Sequence, residues 1–219
     1  IDYIPAVLDA MNELGWPNCV LMGHSLGAAI ASFTAAIEPD RVCGLFLIDG
    51  LGPHTEEPQS APGRLKRSIR SFAISPTTST TEYPDLDTMI EARQRAGSIS
   101  KAGATALAVR NAMQGEQGFR WRTDPRLRLP TPQYLTEEQV LAFLRKVEAP
   151  TVLGMARDGL LQGQPQTQER IRAFSNIDGV ELPGTHHLHL DDPQPVAQEV
   201  IRFLIKSVTG SNQSAVPTN

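Results

Sequence analysis

The chain has 219 residues, of which 40% are apolar and 20% charged, and its formal net charge is −4. This length suits one domain with an insertion, and the apolar fraction excludes wholesale disorder. Binding to nucleic acid requires a basic protein surface, so the negative net charge argues against a nucleic-acid partner. No apolar run approaches the roughly 18 residues of a membrane-spanning helix. Cys19 and Cys43 are too few for a disulfide scaffold, and we predict buried free thiols.

The first fifty residues alternate between helical and extended patterns. Apolar residues at helical spacing predict an amphipathic helix over 2–14, and an Ala-rich run predicts a second over 28–37. Continuous apolar runs at 19–22 and 42–48 are typical of strands that are buried on both faces. This order predicts an α/β fold with a doubly wound parallel sheet, and assigns residues 1–50 to its core.

The pattern changes at residue 51, where prolines and a Ser/Thr cluster begin. No buried-strand pattern occurs in 51–148, so this segment is predicted to be a mostly helical cap inserted between strands. Its helical patterns cover residues 62–74, 85–96, 101–114 and 136–147.

The α/β pattern resumes over 149–207, which is predicted to complete the core. A polar, flexible tail is predicted at 208–219. The elements expected in the resumed core are a strand at 150–153, a helix at 165–174, a short strand at 180–182 and a closing helix that begins at Pro195.

The motif Gly23-His24-Ser25-Leu26-Gly27 has the form G-x-S-x-G and lies between a predicted strand and a predicted helix. This is the context of a nucleophile elbow, in which glycines allow a strained serine to approach the helix. Ser25 is therefore the candidate nucleophile, and the backbone N–H of Leu26 is a candidate oxyanion donor. The alternative is an ordinary strand-to-helix turn that contains a serine by chance.

A serine nucleophile needs a base, and three of the five histidines cluster after the last predicted strand. We favour His186 as the base, with His187 as the alternative, while His189 is expected to pack and His24 to support the elbow. The cluster lacks the spacing typical of metal ligands, so we predict neither a metal nor a cofactor.

The base in turn needs a carboxylate, and two candidates follow predicted strands. Asp158 follows the strand at 150–153 and Asp49 follows the strand at 42–48, and both preserve the chain order Ser, Asp, His. We favour Asp158, with Asp49 as the alternative acid. Either residue could instead be a helix-capping or turn aspartate.

The elbow GHSLG, the strand LFLIDG, the helical insertion and the late segment GTHHLHLDDP resemble the α/β-hydrolase superfamily over residues 1–206. The stretch GFRWRTDPRLRLPTPQYLTEEQVLAFLRKVEAPT is most similar to the serum hydrolase-like serine hydrolases. The resemblance implies that His186 is the catalytic base.

The resemblance offers two positions for the catalytic acid, Asp158 and Asp49. The usual acid lies three residues past a Gly that ends the strand after the cap, but here Ala156-Arg157-Asp158-Gly159 has Ala for that Gly and the Asp one place early. Members related to haloalkane dehalogenases carry the acid after the preceding strand, at the position of Asp49. Dehalogenases and epoxide hydrolases use an aspartate nucleophile, so Ser25 argues for ester-type acyl transfer instead.

The chain opens on Ile1 and enters a helical pattern at once, so its N-terminus resembles a cut. The family fold places about four strands and an oxyanion loop before the first helix. We therefore expect a fold that is incomplete at its N-terminus, a strand at 18–22 that lacks a neighbour, and a second oxyanion donor outside this chain.

Two hypotheses follow. The first is a serine hydrolase that cleaves a small carboxylic ester or thioester through an acyl-enzyme. The second is an impaired or truncated hydrolase-fold protein that acts as a binding module. No signal-peptide pattern is present, which favours a cytoplasmic location.

Overall fold

The structure is a computed structural model that describes residues 2–75 and 81–211, with side chains described up to residue 206. The predicted tail at 208–219 therefore lies outside the described side chains, although the last helix continues to Ser211. The strands are β1 (Cys19–His24), β2 (Val42–Ile48), β3 (Ala112–Gln114), β4 (Phe119–Trp121), β5 (Thr151–Asp158) and β6 (Ile177–Thr185). The α-helices are α1 (Ile4–Glu13), α2 (Leu26–Ile37), α3 (Ala61–Ile74), α4 (Leu86–Arg95), α5 (Lys101–Asn111), α6 (Glu137–Leu144), α7 (Thr167–Ala173), α8 (Leu188–Asp191) and α9 (Pro193–Ser211).

The described residues form two compact units, of which the first comprises Ile1–Pro53 and Glu138–Asn219. Its centre is a four-stranded sheet with the order β1-β2-β5-β6, and all three strand pairings are parallel. Parallel neighbours require crossover connections, and helices supply them here. The predicted α/β fold with a parallel sheet is confirmed.

Apolar side chains cover both faces of this sheet. On one face, Phe46 lies under Phe203 of α9, with the ring centroids 6.0 Å apart. This face holds a buried cluster made of Phe46, Ile48, Ala156, Leu182, Leu188, Val196 and Phe203. Because α8 and α9 contribute to the cluster, it fixes the segment that follows β6.

Helix α2 packs against β1 and β2 at close range. Its buried residues are mostly alanines, which allow a helix to approach a sheet. Gly23 in β1 permits the closest contact, since a Cβ atom at this position would lie 2.3 Å from the carbonyl oxygen of Gly27. The tight turn between β1 and α2 therefore requires a glycine at position 23.

The insertion is shorter than the predicted 51–148, because the second compact unit spans His54–Glu137. Most of α6 belongs to the first unit, where Phe143 stacks on Phe33 of α2 with ring centroids 4.3 Å apart. A cap role for the second unit stays a prediction.

The second unit contains α3, α4, α5 and an antiparallel hairpin of β3 and β4. The helices α3 and α4 occur where the sequence predicts them. The helix predicted over 101–114 ends at Asn111, and its last three residues form β3 of a hairpin that was not predicted. Its strands are only three residues long and half-buried, so they leave no continuous apolar run in the sequence.

Two surface features of the first unit bear on the predictions. Cys43 is exposed and Cys19 is half-buried, so the prediction of two buried thiols was wrong for Cys43. Strand β1 lies at an edge of the sheet, and its Met22 is 60% exposed. Over the residues that the structure describes, no helix is long and apolar enough to cross a membrane.

Candidate active site

Three polar side chains meet at one edge of the parallel sheet. Ser25 follows β1, Asp49 follows β2, and His186 follows β6. The carboxyl ends of parallel strands lie at the same edge, which is where open α/β sheets build their sites. All three residues belong to the first compact unit.

Ser25 occupies the sharp turn between β1 and α2. Its backbone has φ 54° and ψ −115°, a conformation that non-glycine residues rarely adopt. Gly23 and Gly50 make room for this turn, since a Cβ atom on Gly50 would lie 2.6 Å from the carbonyl oxygen of Ser25. The serine is therefore held in a strained elbow that presents its hydroxyl at the end of the sheet.

His186 connects the serine to a carboxylate. Its Nε2 lies 2.9 Å from Ser25 Oγ, and its Nδ1 lies 2.7 Å from Asp49 Oδ2. A carboxylate only accepts hydrogen bonds, so the neutral imidazole donates from Nδ1 and its Nε2 accepts from the serine hydroxyl. This orientation allows the imidazole to take the serine proton.

Asp49 is 1% exposed and its carboxylate has further donors. The backbone N–H of Leu160 donates to Oδ2 at 2.8 Å, and that of Ala156 donates to Oδ1 at 3.3 Å. Gly159 lies against the same group, because a Cβ atom there would be 2.4 Å from Oδ1. The end of β5 and the loop after it thus form a cradle of N–H groups for the Asp49 carboxylate.

Asp158, the acid favoured from the sequence, does not contact His186. It is exposed and still belongs to β5, where it pairs with Thr185 of β6. The strand runs five residues further than the sequence pattern predicted, to Asp158 itself, which leaves Asp158 within the sheet ladder instead of in the loop beyond it. The carboxylate that contacts His186 is therefore that of Asp49, the alternative acid, and not that of Asp158.

The N-terminus of α2 lies beside the serine hydroxyl. Leu26 is the first residue of this helix, and the first N–H groups of a helix have no intrahelical acceptor. The carbonyl of Ser25 accepts from Ala28 and Ala29, which closes the first turn. The role of the Leu26 N–H as oxyanion donor stays a prediction.

Four histidine rings cluster around the site. The ring of His24 lies 4.4 Å from that of His186 and 4.2 Å from that of His189, and His187 is 5.6 Å away. Burial lowers the pKa of His24 to about 4 and also lowers the pKa of His189.

The histidine that contacts Ser25 is His186 and not His187, the alternative base. Within the described ranges, no group of three or more potential ligands is arranged to hold a metal ion.

Sequence reasoning did not find the carboxylate cradle or α8. The signal for the cradle was Gly159, a glycine directly after the candidate acid Asp158, but its partner Asp49 lies 110 positions earlier. Helix α8 has only four residues, Leu188–Asp191, which is too short for a periodic pattern.

Comparisons with known proteins agree with this architecture. A family model described as the alpha/beta hydrolase family matches residues 1–199. A probable serine hydrolase of Drosophila melanogaster is 30% identical over 93% of this chain and 65% of its own length. A serine hydrolase-like protein of Dictyostelium discoideum is 28% identical over 94% of this chain and 60% of its own length. The chain therefore spans less than two thirds of the length of these curated relatives.

Solved structures show the same fold. A hypothetical protein from Pseudomonas aeruginosa PAO1 superimposes with a TM-score of 0.85 at 37% identity, over 96% of this chain and 73% of that protein. A thioesterase domain from the curacin biosynthetic pathway has a TM-score of 0.76 at 25% identity, over 91% of this chain and 72% of that domain. The predicted resemblance is thus confirmed, and the chain belongs to the alpha/beta hydrolase family.

Proposed function

We propose that the protein is a serine hydrolase that cleaves a small carboxylic ester or thioester through an acyl-enzyme. The observation that carries this proposal is the continuous hydrogen-bonded series from Ser25 Oγ through the His186 ring to the Asp49 carboxylate. A serine hydroxyl is a poor nucleophile until a positioned base removes its proton, and this series supplies that base.

In the first half-reaction Ser25 Oγ attacks the substrate carbonyl carbon while its proton passes to His186 Nε2. The Leu26 N–H donates to the oxygen that becomes negative, and Asp49 stabilises the imidazolium. When the tetrahedral species collapses, the bond to the leaving alcohol or thiol breaks, and His186 returns the proton to that group. The acyl chain remains on Ser25.

In the second half-reaction water attacks the acyl-enzyme, with His186 again as the base. The carboxylic acid is released, and Ser25 regains its proton from His186. These steps need no cofactor. We assign one oxyanion donor among the described residues; loss of one such donor typically costs about 10²–10³ in rate.

The names of similar proteins support this class. Curated relatives are named serine hydrolases, and the thioesterase domain is 25% identical to this chain. The alternative of a binding module is not favoured, since it gives no reason for three side chains to share hydrogen bonds at a strained elbow. The cytoplasmic location predicted from the sequence stays a prediction, which cell fractionation would check.

The test is hydrolysis of p-nitrophenyl acetate and of an acyl thioester by the purified full-length protein. We expect release of the p-nitrophenol or of the thiol, and loss of either activity to background in Ser25→Ala. Turnover by Ser25→Ala at the wild-type rate would contradict the mechanism. A rate in the wild-type protein that is no higher than buffer for both substrates would contradict the proposed substrate class.

A further inference from the structure

His24 contacts His186 through the backbone of the latter. The His24 Nε2 atom lies 2.7 Å from the carbonyl oxygen of His186. A carbonyl oxygen only accepts hydrogen bonds, so Nε2 of His24 carries a proton. The contact spans 162 positions in the chain and joins β1 to the loop after β6.

His186 makes two hydrogen bonds through its ring and one through its main chain. Its ring is held at Nε2 by Ser25 and at Nδ1 by Asp49, while its main chain is held by His24. His24 and Ser25 are consecutive residues. One dipeptide therefore fixes both the backbone of His186 and the distance between its ring and the serine hydroxyl.

The loop that carries His186 has a backbone that needs such support. Gly184 has φ 110°, two positions before His186, and the four-residue α8 begins at Leu188. A short helix and a glycine in the left-handed region define the path of this loop only over a few residues. A hydrogen bond from the rigid sheet fixes the loop against β1.

We propose that His24 is a positioning residue for the base, and that its neutral Nε2–H tautomer anchors the His186 main chain so that the imidazole meets Ser25. This inference rests on the proposed function of the site. It assigns to the second residue of the G-x-S-x-G motif a role that depends on hydrogen-bond donation.

The surroundings of His24 are consistent with a neutral ring. It faces the rings of His186, His187 and His189, and the nearby carboxylate of Asp49 is within hydrogen-bond distance of His186. Burial lowers the His24 pKa to about 4, so the ring is uncharged near neutral pH. A neutral neighbour does not oppose the imidazolium that forms on His186 during acyl transfer.

The test compares His24→Leu, which removes both ring nitrogens, with His24→Gln, whose side-chain amide offers an N–H donor at similar reach. We expect His24→Leu to lower kcat for p-nitrophenyl acetate by about 10²-fold with little change in KM, because displacement of a reacting group by about 1 Å has this effect. His24→Gln should restore most of the rate.

His189→Leu is the matched control, because it removes a ring that is tilted against His24 at 4.2 Å and leaves in place the His24 ring that donates to the His186 carbonyl. Its kcat should stay within a few-fold of wild type. Circular dichroism checks the folding of all three variants.

A second measurement does not depend on turnover. Nitrogen-15 spectra of the imidazole rings distinguish the two neutral tautomers, and we expect His24 to be protonated at Nε2 at pH 7. A protonated Nδ1 in His24, or a folded His24→Leu variant with wild-type kcat, would overturn the positioning role and leave the hydrolase proposal intact. Absence of any Ser25-dependent turnover would overturn the hydrolase proposal, while the ring spectra would still report on the His24 contact.

Discussion

At the scale of single residues, backbone strain coincides with the site. Among the described residues, Ser25 and Asp49 are the non-glycine residues with positive φ, at 54° and 41°. Such conformations cost free energy and persist where the surrounding structure over-determines them. Here Gly50 and Gly159 lie against these two residues at distances that no side chain would allow. The site thus depends on Gly50 and Gly159, which have no side chain, as well as on its polar side chains.

The two candidate acids can be separated by substitution. We expect Asp49→Asn to lower kcat by about 10⁴-fold, because an amide neither fixes the His186 tautomer nor stabilises the imidazolium. Asp158→Asn, on the neighbouring strand, is the matched control and should keep kcat within a few-fold of wild type. Steady-state ester hydrolysis measures both, and a larger loss in Asp158→Asn than in Asp49→Asn would contradict the assignment.

The carboxylate cradle predicts the effect of a single methyl group. In Gly159→Ala the added Cβ would lie 2.4 Å from the Asp49 carboxylate, so the carboxylate must move away from His186. We expect a loss of activity of at least about 10²-fold, the usual effect of a misplaced reacting group.

The control is Gly179→Ala in β6, where the new Cβ would make an ordinary contact of 3.7 Å with Met155. Ester hydrolysis together with thermal unfolding measures both variants. Gly159→Ala with full activity would show that the cradle does not position Asp49.

Ser25 and His186 could be predicted from the sequence, because each lies in a short motif beside a recognisable strand. The acid could not, because β2 and β5 are neighbours in the sheet and each ends near an aspartate. The choice between Asp49 and Asp158 depends on the residue at which β5 ends. The last two residues of β5 are exposed, so the apolar pattern of the sequence does not show where the strand ends.

At the scale of elements, the β1–α2 elbow joins the proposed nucleophile, Ser25, to the proposed oxyanion donor, the Leu26 N–H. Its geometry depends on the direct packing of β1 on the first turn of α2, where Gly23 faces the backbone of Gly27 and Ala28. Any side chain at Gly23 would push the strand away from the first turn of the helix and change the backbone conformation of Ser25 between them.

Two glycine substitutions in this elbow are predicted to have opposite effects. Gly23→Ala should lower the free energy of unfolding by about 1–3 kcal/mol, as overpacking of a tight contact does, and should abolish activity. Gly27→Ala has open space for its Cβ and should raise the helical stability of α2 by up to about 1 kcal/mol. Urea denaturation checks both, and equal stability of the two variants would contradict the described packing.

The elements themselves were mostly predictable. Helices α3, α4, α5 and α9 follow clear amphipathic patterns, and β2 is a fully apolar run. The hairpin of β3 and β4 was missed because its backbone pairing is local and its side chains are half-buried. Such strands carry no periodic hydrophobic signal.

At the scale of the whole molecule, the half-buried His24 predicts a pH dependence of stability. Its pKa is lowered to about 4 in the folded chain, mainly by burial, against an ordinary value of 6.5. Between these values the unfolded chain binds more protons than the folded one, so stability falls as the pH drops from 6.5 to about 4. The stabilisation is fully present above pH 6.5.

We expect the midpoint of thermal unfolding to decrease over this pH window by several degrees, at about 2–4 °C for each kcal/mol. His24→Gln should flatten the decrease, because the amide does not titrate, although His189 contributes a remaining slope in the same direction. His54→Gln, at an exposed position of the second unit, is the matched control for the substitution itself. An unchanged slope in His24→Gln would contradict the half-buried, neutral state of this ring.

The central claim is that Ser25 is an activated nucleophile, and covalent labelling tests it most directly. The full-length protein is treated with a fluorophosphonate at neutral pH, digested, and the modified peptide is identified by mass spectrometry. We predict a single phosphonylated residue, Ser25, with labelling lost in Ser25→Ala and slowed by several orders of magnitude in Asp49→Asn. Labelling at another residue, or labelling that persists in Ser25→Ala, would contradict the account.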